Sequence, residues 1–212
     1  MAETFVESPA ETADNFLQLV AAILLGLAAT FTAVSAYESA QMDGAALKGY
    51  TNSTRTLNDA NAFYGQGNQT TAMDQQLFIA YATASHEGND KLARYLKTMM
   101  RPELKGAIRW WKKSGTTAPP LDPSVQANPY DVEDFDQAWE LEHQASHQYK
   151  AAVRADNRGG KFQLSTVLFA LTLFFGGIST LFRRKKVSHG LLMIGAVTLV
   201  AGVIELARAF LA

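Results

Sequence analysis

Three windows of this chain carry no charged residue: 16–37, 162–182 and 187–204. They total 61 residues, so the other 151 hold all 39 Lys, Arg, Asp and Glu side chains. A helix rises about 1.5 Å per residue, and roughly 20 apolar residues match the hydrocarbon core of a bilayer. Each window is close to that length. The first contains Leu17, Leu19, Ile23, Leu24, Leu25, Leu27 and Phe31, and the second is richer still, with Leu164, Val167, Leu168, Phe169, Leu171, Leu173, Phe174, Phe175 and Ile178. The third extends past Glu205 and Arg208 to Ala212. The remainder of the chain is too short to wrap three helices that are apolar on every side.

The expected fold class is an all-α membrane protein. Its parts are an acidic N-terminal tail (1–15), transmembrane helix 1 (16–37), a helical bundle domain (38–161), transmembrane helix 2 (162–182), a basic loop (183–186) and transmembrane helix 3 (187–212). The small residues Ala33-Val34-Ser35-Ala36 would suit signal-peptide cleavage. The residues before the first window, however, include Glu3, Glu7, Glu11 and Asp14 and no Lys or Arg, whereas a signal peptide starts basic. A retained span is the preferred reading. Within the spans, Ala22, Gly26 and Thr30 recur every four residues, Gly176 and Gly177 are adjacent, and Gly195 and Gly202 are seven apart. Small residues at such spacing let helix backbones approach closely in lipid.

Orientation rests on Arg183, Arg184, Lys185 and Lys186, four positives on one short connection, which is a cytoplasmic signal. It places the N-terminus inside and both 38–161 and the C-terminus outside. The acidic N-terminal tail argues the other way, but long segments translocate largely regardless of charge.

The 38–161 segment reads as helical throughout, in an antiparallel bundle. Leu47, Tyr50, Thr54, Leu57, Asn61 and Tyr64 step by three and four, as a packing seam does. Residues 65–68, Gly-Gln-Gly-Asn, then read as a turn. A second helix starts near Met73, with a further turn expected at 87–90. Pro102 breaks or restarts a helix, and 115–129, with four of the six prolines, forms a loop. Val132, Phe135, Trp139, Glu142, Ser146, Tyr149 and Val153 mark a second seam leading toward 162.

Charge is strongly blocked in this segment, although the chain's net charge is only −1. Lys91, Arg94, Lys97, Arg101, Lys105, Arg109, Lys112 and Lys113 face a single acid, Glu103, while 131–142 holds six acids and no base. The first reading of the basic stripe is an intramolecular partner of the acidic block, or a solvated face. The second is a surface for anionic lipid or an acidic partner, to which Trp110 and Trp111 would add interfacial aromatics.

Chemistry-bearing patterns are sparse. The absence of cysteine excludes disulfides, thiolate metal sites and thiol nucleophiles, and the balanced charge argues against nucleic acid as a partner. No phosphate-binding Gly-rich loop and no nucleophile elbow is present. Glu140, His143 and His147 lie on one helix face and form the one candidate metal set, against the plainer reading of an exposed polar surface. Glu205 and Arg208, three apart at the end of the third span, are expected to pair or snorkel.

Residues 35–40 (SAYESA), 101–104 (RPEL), 155–170 (ADNRGGKFQLSTVLFA) and 173–178 (LFFGGI) resemble a group of bacterial three-span membrane proteins. The layout is also similar, more loosely, to the DUF4337 group of small bacterial membrane proteins. The resemblance implies a multi-pass protein of the bacterial inner membrane and transfers no catalytic residue. The functional expectation is a non-enzymatic accessory, scaffold or sensor-like subunit, without cofactor, whose helical domain binds a partner or lipid surface. Its partners are membrane lipid and a protein or a second copy of the chain. An oligomeric channel or transporter subunit is the alternative, and a metal-binding helical enzyme the third reading.

Overall fold

The structure, a computed structural model, describes residues 9–122, 125, 127–182 and 184–211. All regular secondary structure among them is helical: α1 (Pro9–His86), α2 (Asp90–Met99), α3 (Pro102–Ser114), α4 (Glu133–Ser179) and α5 (Lys185–Leu211). The chain divides into two compact units, Met1–Tyr50 with Tyr149–Ala212, and Thr51–Gln148. Helices α1 and α4 contribute to both. The acidic tail lies mostly outside the described residues, as does Arg183 of the basic loop.

In the first unit α1 and α4 run antiparallel. Phe31 stacks on Phe169 at 5.4 Å between ring centroids, the Ser39 hydroxyl donates to the Gly159 carbonyl at 3.3 Å, and Gly49 faces Ala152. Helix α5 returns along α4. A Cβ added at Gly202 would stand 2.7 Å from the Phe169 ring, and the Thr172 and Thr198 hydroxyls are 2.9 Å apart. Arg158 closes the far end by donating to the carbonyls of Ala209 (2.9 Å) and Phe210 (3.2 Å), two of the last acceptors that α5 leaves without an intrahelical donor. Phe162, Phe169, Leu206 and Ala209 form the buried centre. The packed face of the first apolar window is Ala21, Leu24 and Ala28, whereas Ala22, Gly26 and Thr30 are exposed. Each of α1, α4 and α5 includes a stretch long and apolar enough to cross a membrane.

In the second unit the core is Met100, Leu104, Ala107, Ile108, Leu121, Tyr130 and Val132, packed against Leu77, Phe78, Tyr81 and Phe135. Asn89 caps α2, accepting from the Leu92 amide at 3.1 Å. Pro102 occupies the first turn of α3, where its missing N–H costs nothing. Gly115 ends α3 in the left-handed region, φ 64°, which glycine adopts without a Cβ clash. The breaks expected at 87–90 and Pro102 are therefore present, and the described residues of 115–129 form no helix.

Two local expectations are corrected. Residues 65–68 form no turn, because α1 is unbroken from Pro9 to His86. Gly67 is there for packing: a Cβ at this position would stand 2.8 Å from the Phe135 ring. The seams are displaced only in part: Tyr50 meets Tyr149 and Tyr64 meets Phe135 across α1 and α4, at 5.5 and 6.2 Å between ring centroids, but the closest contact runs beside them. Leu47, Leu57 and Trp139 are 68, 44 and 60% exposed, while buried positions recur every seven residues on α1, at Ser39, Ala46, Ser53, Ala60, Gly67 and Asp74, and on α4, at Ala138, Ala145 and Ala152. Two closely approaching helices bury their smallest residues, not their largest. The Ser53 hydroxyl donates 2.8 Å across this contact to the Ala145 carbonyl.

Candidate functional site

The buried positions of the seven-residue series on α1 end in an acid. Asp74 is buried at a position where its neighbours in the series are Ser, Ala and Gly. A buried carboxylate is tolerated only when paired and hydrogen-bonded, and Asp74 is both. Arg101 Nε donates to its Oδ2 at 2.6 Å, and the Tyr130 hydroxyl donates to the same oxygen at 3.1 Å. The guanidinium also lies 5.4 Å from the Tyr130 ring centroid, donates to the Asp131 carbonyl and pairs with Glu103 at 3.3 Å. Burial pulls Arg101 toward the neutral form, but its hydrogen bonds to Asp74 and Tyr130 outweigh it and raise its pKa. Burial likewise pushes the Tyr130 phenol up.

Arg101 therefore leaves the basic stripe. It occupies the corner between α2 and α3 and locks that corner to α1, so the other seven cations are divided between two helices. Lys91, Arg94 and Lys97 lie on α2, and Lys105, Arg109, Lys112 and Lys113 on α3. The expected pairing with the acidic block does not form: among the described residues no ion pair joins the stripe to 131–142, and only Arg101 reaches it, through the Asp131 backbone. In that block Glu142 accepts from Tyr64 at 3.0 Å and Glu133 from Gln137 at 3.1 Å.

The corner brings part of the stripe together. Lys97, Lys105, Arg109 and Lys112 line one cavity of about 50 Å³ with Tyr81, Met100 and Ile108. Lys112 Nζ donates to the Tyr81 oxygen at 2.7 Å and sits 5.0 Å from its ring centroid. That hydrogen bond, with the charges of Lys112 and Lys97, holds the Tyr81 phenol below its usual pKa. Trp111 is turned inward, edge-on to Phe78 at 5.6 Å, with its Nε1 buried. It serves the core, not an interfacial belt.

Glu140, His143 and His147 are all exposed on α4, and the His143 ring packs on Trp139 at 4.0 Å. Among the described residues no group of three or more His, Asp or Glu is arranged to hold a metal ion. Glu205 and Arg208 pair at 2.8 Å. Arg184, Lys185 and Lys186 are exposed at the start of α5, the end of a helix dipole that disfavours positive charge, so helix stability does not explain them. Asp74 and Tyr81 were missed by sequence reasoning. Both continue the seven-residue series through Ser53, Ala60 and Gly67, a signal that becomes visible once small residues are taken as the seam.

No family model, no curated protein and no solved structure matches this chain.

Proposed function

We propose that this chain is a multi-pass protein of a bacterial inner membrane. In this reading it has three transmembrane helices and a helical bundle inserted between the first and second. It acts as a non-enzymatic accessory or sensor-like subunit whose bundle binds an anionic partner or lipid surface. The observation that carries the membrane reading is exposure. The apolar windows of α1, α4 and α5 are only 22, 33 and 17% buried by the protein itself. Leu19, Ile23, Val167, Phe174, Val197 and Val200 lie open on their outer faces. An apolar surface on this scale needs lipid or protein to cover it.

The binding reading is supported by Lys91, Arg94, Lys97, Lys105, Arg109 and Lys113, which make no ion pair among the described residues. Arg184, Lys185 and Lys186 favour a cytoplasmic connection between the second and third spans, with the N-terminus inside.

The test has two parts. Membranes are extracted at alkaline pH, and a reporter is fused to the C-terminus. The protein should stay with the membrane, and the reporter should be active only on the exported side. Neutralising the six free cations should then abolish salt-sensitive capture by anionic vesicles. Alkaline release of the protein, a cytoplasmic reporter signal, or unchanged vesicle capture would each remove the corresponding part.

A further inference from the structure

The cavity at the α2–α3 corner has a definite chemistry. Its floor is Met100 and Ile108, both buried. Lys105, Arg109 and Lys112 project from one face of α3 at spacings of four and three, and Lys97 joins them from α2. No acid lines the cavity. Among the described residues Lys97, Lys105 and Arg109 make no hydrogen bond or ion pair, and Lys112 is bonded to Tyr81. Four like charges around so small a space repel one another, and a multiply charged anion would relieve that repulsion. About 50 Å³ accommodates a group of a few heavy atoms.

We propose that Lys97, Lys105, Arg109, Lys112 and the Tyr81 hydroxyl form a binding site for a phosphomonoester dianion. Arg109 supplies a planar fork suited to two phosphate oxygens, the lysines supply point charges, and Tyr81 donates its proton to a third oxygen while accepting from Lys112. The Arg101–Asp74 pair holds the corner that brings Lys97 to α3, so it positions the site without touching the ligand. The lowered pKa of Tyr81 reports the same positive field from within the cavity. This assignment rests on the reading of the basic surface as a recognition face, and it names the ligand class.

The experiment uses the full chain in detergent micelles. Inorganic phosphate is titrated at constant ionic strength, first against sodium chloride alone, while the ultraviolet absorbance of the Tyr81 phenolate is followed. Phosphate should bind saturably and return Tyr81 toward an ordinary pKa. Lys105→Gln with Arg109→Gln should weaken binding at least about tenfold, while Lys150→Gln with Arg154→Gln, exposed cations on α4, should not. A second arm compares glycerol phosphate with micelles doped with phosphatidate. Equal binding of the soluble ester identifies a soluble ligand, and binding confined to doped micelles identifies a lipid headgroup. Non-saturable phosphate binding together with none in either arm, or binding that survives Lys105→Gln with Arg109→Gln, overturns the proposal. If phosphate fails while anionic vesicles are still captured through the six cations, this inference falls and the broader reading stands. Loss of both brings down the two together.

Discussion

Arg101 and Asp74 meet at 2.6 Å, 27 positions apart in sequence, with the acid side chain 5% exposed and the guanidinium 25%. This contact ties the α2–α3 corner to α1, and it explains why one member of a stripe of eight cations behaves unlike the rest. Removing Arg101 leaves the Asp74 carboxylate buried with the Tyr130 hydroxyl as its remaining donor among the described residues, which costs far more than the pair itself contributes. Arg101→Met should destabilise the Thr51–Gln148 unit by about 3 kcal/mol, whereas Asp74→Leu with Arg101→Met should recover more than half of that loss. Thermal unfolding in detergent, followed by circular dichroism, gives both values. Equal losses in the single and double variants would show that the contact is incidental.

Gly65 and Gly67 are two residues apart on the same unbroken helix and should respond oppositely to alanine. Nothing lies within 4 Å of a Cβ at Gly65, so Gly65→Ala gains helix propensity and should stabilise by about 0.5–1 kcal/mol. At Gly67 the new Cβ meets Phe135 at 2.8 Å. The ring must move, and Gly67→Ala should lose more than the propensity gain. A denaturant midpoint for each variant checks the pair. Stabilisation by both would mean that α4 does not approach α1 at this point.

This contrast also marks what the sequence made legible. Charge-free windows, Pro102 and the proline-rich loop were readable because each acts locally: composition limits solvent, and proline and glycine limit backbone. The long-range register was not. Leu47, Leu57 and Trp139 attract attention as bulky apolar residues, yet the α1–α4 contact runs through Ala46, Ser53, Ala60, Ala138 and Ala145, which hydropathy barely distinguishes from solvent-facing positions. The candidate site was half legible for the same reason. The basic stripe is visible as a run, but which of its members share a cavity depends on the corner at Pro102 and on a buried acid donated by a distant turn of α1.

Alkaline titration should separate the tyrosines. Tyr81 is lowered by the Lys112 hydrogen bond, while burial raises Tyr130. Tyr81 should be the first phenol to ionise, below the usual value near 10, and Tyr81→Phe should delete that step from the ultraviolet absorbance curve. The signs for stability are opposite. The folded state holds Tyr81 less protonated than the unfolded chain does, so its contribution grows as pH rises toward about 10. Tyr130 stays protonated longer when folded, so its contribution is lost as pH climbs past about 10. Tyr130→Phe should therefore flatten the alkaline fall in stability. A curve unchanged by either variant would contradict both assignments.

Arg158 should hold the last turn of α5 closed. Its two donations to the Ala209 and Phe210 carbonyls satisfy acceptors that the helix leaves open, and its charge complements the negative end of the helix dipole. Charge-assisted hydrogen bonds of this kind contribute about 1.5–3 kcal/mol, and partial exposure reduces that here to about 1–2 kcal/mol. Arg158→Gln should release this amount locally, speeding amide hydrogen exchange in residues 208–211 roughly five- to thirtyfold, while amides around Gly195 stay protected. Arg158→Lys keeps the charge but not the planar fork, so its last-turn exchange should fall between the two. If the last turn exchanges equally fast in all three proteins, the α5 terminus is held by the packing of Ala209 and Leu206, not by the arginine.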